Sequence, residues 1–156
     1  MLALYHGTST HRLKGILREN CLRVSETGDD KVALTPDRAA AEYFAHLAVV
    51  GDRELHGIPE DETHQVVLEF DGDALIEEGY DLQRYSDPVW GEGECDWEKE
   101  IACWQDIKPV EEVLIGIQEI PFQPGWRPQS AASAFAKVIQ DCFAARSRHS
   151  IGSASS

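Results

Sequence analysis

The chain has no hydrophobic run of membrane-spanning length, and its start lacks a basic segment followed by an apolar one. Neither a membrane partner nor a secretory leader is expected. None of the four cysteines stands in a CxxC pair: Cys21, Cys95, Cys103 and Cys142 are widely spread. Structural zinc sites draw on closely spaced ligand pairs, so no metal is expected, and reduced thiols in a cytoplasmic protein are the simpler reading. Basic residues are scarce in the middle of the chain. Residues 52–100 carry three basic and seventeen acidic side chains, which accounts for the whole net charge of −14. Such a surface repels phosphate backbones and disfavours a general nucleic-acid binder. There is no internal repeat and no regular strand–helix–strand alternation, which points to α+β rather than a doubly wound sheet.

What is present suits one soluble globular domain: 156 residues, 42% hydrophobic and 27% charged. Alternation in Leu2–Ser9 reads as a strand stopping at a Gly-Thr-Ser turn. Thr10 is a natural N-cap for a helix bearing Leu13, Ile16 and Leu17, with Asn20 as its left-handed terminator. Leu22–Val24 reads as a short extended piece, residues 27–30 as a turn and Val32–Leu34 as a strand. Thr35-Pro36 is expected to start a second helix, Thr35 as cap, with Ala40, Tyr43, Phe44 and Leu47 on one face. Gly51–His64 reads as a loop, Gln65–Phe70 as a strand closed by Asp71-Gly72-Asp73, and Tyr80–Trp97 as a long acidic loop. Glu100–Trp104 and Val113–Ile117 read as further strands. Residues 1–120 are taken as one domain, 121–149 as a proline-rich connection and an amphipathic helix packed on it, and 150–156 as a disordered tail.

Three features have chemical potential: His6-Gly7-Thr8 at the end of the first strand, Tyr43 on the second helix, and Glu98-Lys99-Glu100 entering a strand. Singly, each has a plainer explanation. An isolated histidine is more often structural, Tyr43 fits an apolar helix face, and Glu98 and Glu100 fit the acidic surface. Arg12, Lys14, Arg18 and Arg23, opposed only by Glu19 within the first 25 residues, suit either a small anion or a solvated helix face.

Their order gives them meaning together. Leu4-Tyr5-His6-Gly7-Thr8-Ser9, then Gly15-Ile16-Leu17 and Leu22-Arg23, resembles the opening of the ADP-ribosyltransferase superfamily, in particular its poly(ADP-ribose)-polymerase-like branch. Ala33-Leu34-Thr35-Pro36 with Ala39–Ala45 is similar to the second motif, a strand and helix bearing an aromatic residue. Glu98-Lys99-Glu100 resembles the Glu-x-Glu third motif of arginine-modifying members. The starting His6 and the aromatic Tyr43 depart from those members, which leaves the acceptor open.

The resemblance implies a split β-sandwich with flanking helices and NAD⁺ as co-substrate. It gives Glu100 the catalytic role beside the ribose, where a carboxylate stabilises an oxocarbenium-like centre. Glu98 would select the acceptor, most readily a cationic protein side chain such as arginine. For NAD⁺ binding it implies His6 on a ribose hydroxyl, the Gly7 backbone on the nicotinamide amide and Tyr43 stacked on the ring. Thr8 and Ser9, with Arg18 or Arg12, would meet phosphate oxygens. Four alternatives stand beside mono-ADP-ribosylation of a protein: an RNA 2′-phosphotransferase-like activity, a nucleic-acid acceptor, NAD⁺ hydrolysis, and a silent NAD⁺ or ADP-ribose binding module. A thiol nucleophile at Cys95 has no local pattern behind it. A toxin, a phage effector and a regulator would share this sequence signature.

Overall fold

Strand β1 (Ala3–Ser9) runs directly into helix α1 (Thr10–Glu19) in the computed structural model, which describes residues 1–24, 30–85 and 99–121. The strand continues through Gly7-Thr8-Ser9, where a turn is expected from sequence, because all three pair with a later strand. Expectations for 25–29, 86–98 and the chain beyond 121 lie outside the described residues. The N-cap of α1 is Ser9 rather than Thr10: the Ser9 hydroxyl accepts from the Arg12 amide at 3.2 Å. Thr10 is diverted, its hydroxyl accepting from the His64 amide at 2.9 Å. Asn20 closes the helix at φ 51° as expected, its amide turning back to Ile16 and Leu17. Leu22 then pairs with Ile107 through two backbone hydrogen bonds of 3.0 and 2.9 Å.

Strand β2 (Val32–Leu34) leads to helix α2 (Arg38–His56), whose cap is Asp37 rather than Thr35. Thr35 cannot start the helix because its backbone is paired with Tyr5, while its hydroxyl accepts from the Asp37 amide at 3.0 Å. Helix α2 also continues through Gly51, where a loop is expected from sequence, and ends at Gly57 with φ 63°. Strand β3 (Gln65–Asp71) is followed by helix α3 (Gly72–Glu77) where only a turn is expected; Asp71 caps it by accepting from Ala74 N at 3.1 Å. Strand β4 (Leu82–Arg84) forms inside the expected loop by pairing with β5 (Ile101–Cys103), and β6 is Leu114–Ile120. The chain is thus a mixed α+β protein. Among the described residues it has three α-helices and two antiparallel sheets, ordered β1–β3–β6 and β2–β5–β4.

Both sheets contribute to one core. Leu4, Val66, Leu68 and Phe70 from the first meet Val32, Leu34 and Cys103 from the second, with Ile16, Leu22 and Ile107 beside them. The other face of the first sheet is covered by α2 through Ala41 and Ala45 against Val67. That stripe differs from the expected one: Leu47 is exposed, and small residues face the sheet because the helix lies very close to β1. Among the described residues, no helix is long and apolar enough to cross a membrane.

Helix α2 persists past Gly51 because Asp52 is anchored. Its buried carboxylate accepts from Ser9 Oγ at 2.5 Å, Thr63 Oγ at 2.9 Å and Arg12 Nε at 3.0 Å, tying α1, α2 and the entry to β3 together. Burial alone would raise the Asp52 pKa, but the two hydroxyls and the guanidinium outweigh it and hold the carboxyl below its ordinary value. A carboxyl lowered in this way favours the fold above its unfolded-state value. That contribution disappears as pH falls through the lower folded-state value. Denaturation of Asp52→Ala will therefore show a loss on the order of 3 kcal/mol near neutral pH. The gap between wild type and variant will narrow as pH drops below about 4, and a constant gap would contradict the assignment.

Candidate functional site

Tyr5 N donates to Thr35 O at 2.8 Å and Thr35 N to Tyr5 O at 2.9 Å, so β1 and β2 meet at one residue pair. In an antiparallel ladder the next such pair would join Gly7 to Ala33. It does not form. The His6 imidazole reaches across instead, its Nδ1 2.8 Å from Ala33 O. A carbonyl only accepts, so Nδ1 carries the hydrogen. The strands part at this point.

Gly7 lies just beyond the parting. Alternation along β1 turns its amide and carbonyl to the same edge as those of Tyr5, away from β3, and among the described residues no strand pairs with it there. Its missing side chain serves another purpose. A Cβ at Gly7 would collide with the Ala41 carbonyl oxygen and stand 2.5 Å from Ala45 N, so glycine is required for α2 to seat. The backbone edge that β2 leaves, not the absent side chain, is the polar feature of Gly7.

Glu100 stands one residue before β5. Extending the β2–β5 register by one residue places it opposite Thr35, and Tyr85 N donates to its carbonyl at 3.0 Å. Tyr5, Thr35, Glu100 and Tyr85 therefore form a row across four strands. The preceding Lys99 adopts φ 49°, left-handed for a non-glycine residue, which costs roughly 1–2 kcal/mol and makes the entry to β5 a sharp bend. Glu100 is buried, 6% exposed, with Oε2 at 3.0 Å from Lys31 Nζ; the ammonium in turn lies 4.5 Å from the centre of the Tyr85 ring. Lys31, Thr35 and Tyr85 are the functional candidates that sequence reasoning missed. A lone lysine ahead of a short strand carries no periodic signal, and its partner is supplied by a distant strand.

The other sequence candidates are dispersed. Thr8 is buried opposite Val66, on the core-facing side of β1. Ser9 donates to Asp52, so the anion held at the start of α1 is an internal carboxylate. Arg18 is exposed in the last turn of α1, at the opposite end from Ser9. Tyr43 is buried on α2 two positions from Ala41, about 200° round the helix, and its ring stacks on His46 at 6.3 Å. It thus faces away from Gly7. Glu98 lies outside the described residues, as do Cys95, Asp87, Glu92, Glu94 and Asp96. Burial raises the pKa of both Cys21 and Cys103, which keeps these thiols protonated and unreactive. Among the described residues no group of three or more His, Cys, Asp or Glu side chains is placed to hold a metal.

Gly7→Ala will lower stability by about 2–3 kcal/mol, because backbone atoms of α2 occupy the space and cannot turn aside. A chemical-denaturation midpoint equal to wild type would show that α2 is not seated on β1 as described. Searches against protein-family models, curated proteins and solved structures returned no match for the chain.

Proposed function

We propose that this protein is an NAD⁺-dependent mono-ADP-ribosyltransferase that transfers ADP-ribose to a macromolecule, with a protein side chain as the leading acceptor, and that its two sheets form an ADP-ribosyltransferase-like split sandwich. The observation that carries the reading is the parting of β1 from β2. It sets the unpaired backbone edge of Gly7 and the His6 imidazole beside the strand pair whose entrance carries the buried Glu100 carboxylate. NAD⁺ supplies an activated glycosidic bond: on cleavage the electron pair leaves on the nicotinamide nitrogen, and ribose C1′ becomes oxocarbenium-like before an acceptor nucleophile attacks it and gives up its proton.

The residues fit such a substrate in three respects. The Gly7 amide and carbonyl match the acceptor and donor of a carboxamide, as an added strand would. The His6 imidazole, oriented by its Nδ1 contact with Ala33 O, suits a ribose hydroxyl. Glu100 offers a water-poor carboxylate, for which a developing positive charge is a strong partner. The stacking role that the resemblance gives Tyr43 draws no support from its position; the aromatic ring beside Glu100 belongs to Tyr85. The regional excess of acid favours a cationic acceptor over a nucleic acid. Reduced thiols at Cys21 and Cys103 are compatible with work in the cytoplasm. A second reading, NAD⁺ binding without transfer, is favoured by one fact: Glu100 is already paired with Lys31.

Incubating labelled NAD⁺ with the protein and a cell extract, while following nicotinamide release and label on macromolecules, separates these readings. Glu100→Gln will reduce release by about a hundredfold or more; release that persists unchanged removes Glu100 from the reaction. Binding without release in the wild type supports the silent module. His6→Ala will weaken NAD⁺ binding by about tenfold, the loss of one hydrogen bond of roughly 1.4 kcal/mol. Glu98→Gln will impair transfer more than hydrolysis, and equal losses would exclude acceptor selection.

A further inference from the structure

We propose that Lys31 is a positioning residue for Glu100, holding the carboxylate ionised and aimed at the ribose; the inference rests on the transferase reading above. The two side chains are 7% and 8% exposed and meet at 3.0 Å. Register explains how they reach one another. Lys31 precedes β2 and, one residue beyond the Val32–Cys103 pair, lies opposite Trp104, four residues along the strand from Glu100. That is about 13 Å of extended chain, spanned only by a long lysine stem meeting a glutamate. The intervening pair on the same face is Ala33 and Ala102, whose methyl groups leave the stem room. Tyr85 covers the ammonium, and the edge of the Trp104 ring packs against Tyr85 at 5.9 Å between centroids.

Stability alone is a poor explanation for such a pair. Removing two charges from water costs about as much as their attraction returns, and apolar replacements of similar volume are often neutral or stabilising. An adjacent cation does, however, keep a buried carboxylate charged. A protonated Glu100 would be useless beside a developing cation. The Lys31 ammonium holds Oε2, which fixes the rotation of the carboxylate that would meet the ribose 2′-hydroxyl. The bend at Lys99 sets the backbone of Glu100, and Lys31 sets its side chain.

The test is steady-state nicotinamide release by the full chain as wild type, Lys31→Met, Lys31→Arg, Glu100→Gln and the Lys31→Met/Glu100→Gln double variant. Lys31→Met will lower kcat by about a hundredfold while the KM for NAD⁺ changes less than about threefold. Lys31→Arg retains the charge at a different reach and will fall between, about tenfold down. In the Glu100→Gln background, Lys31→Met will change kcat by less than about twofold, since a residue acting only through Glu100 has nothing left to act on. Unchanged kcat in Lys31→Met, or the same loss with and without Glu100, overturns the inference while leaving the transferase reading intact. No release by the wild type overturns the transferase reading itself and this inference with it. If Lys31→Met does not fold, Lys31→Arg decides: a kcat equal to wild type counts against the proposal.

Discussion

Two backbone hydrogen bonds between Tyr5 and Thr35 are the joint on which this structure depends. Among the described residues they are the backbone link between two three-stranded sheets. They also fix the level at which Glu100 and Tyr85 lie across the neighbouring strands. Had the ladder continued, β1 and β2 would have formed an ordinary sheet with no opening. The His6 ring takes the carbonyl that the next amide would have used. A single side chain thereby ends the pairing and leaves a strand edge available inside the fold, protected from the association that exposed edges invite.

Charge is used in the same local way at two places. At the start of α1, where free amides would attract a phosphate, Asp52 of α2 already fills the position and is satisfied by two hydroxyls and a guanidinium. The arrangement ties elements together and needs no ligand. At the start of β5, the Lys31 ammonium meets Glu100, and the Tyr85 ring covers that ammonium. Both carboxylates are buried: Asp52 accepts from three short donors, as a structural anchor requires, and Glu100 meets the Lys31 ammonium at 3.0 Å.

Much of this architecture was legible in the sequence. Alternation marks β1, short apolar β-type runs mark β2, β3 and β6, helical spacing marks α1, and Asn20 gives its end. The β5 region and its leading glutamate were also placed correctly. The failures share a cause. Local chemistry marks Thr35 as a helix cap, but its backbone is taken by Tyr5. Gly51 marks a break, but Asp52 one residue later is anchored by groups from other elements. Leu82–Arg84 has no strand pattern and forms a strand because β5 offers an edge. One clue was available: Asp52 falls on the same helical stripe as Ala41, Ala45 and Ala48, and a charge on an apolar stripe calls for buried partners. The Lys31–Glu100 pair left no comparable trace.

The unpaired edge of Gly7 also has a kinetic meaning. Along β1, amides directed at β3 are locked in the central strand of their sheet, and that of Tyr5 is locked by Thr35. The Gly7 amide belongs to the same rigid segment but has no strand opposite it. Its exchange with solvent hydrogen is therefore not gated by breaking a strand pair, unlike that of its neighbours. Any molecule that pairs with that edge must slow it, which makes one backbone proton a built-in gauge of occupancy.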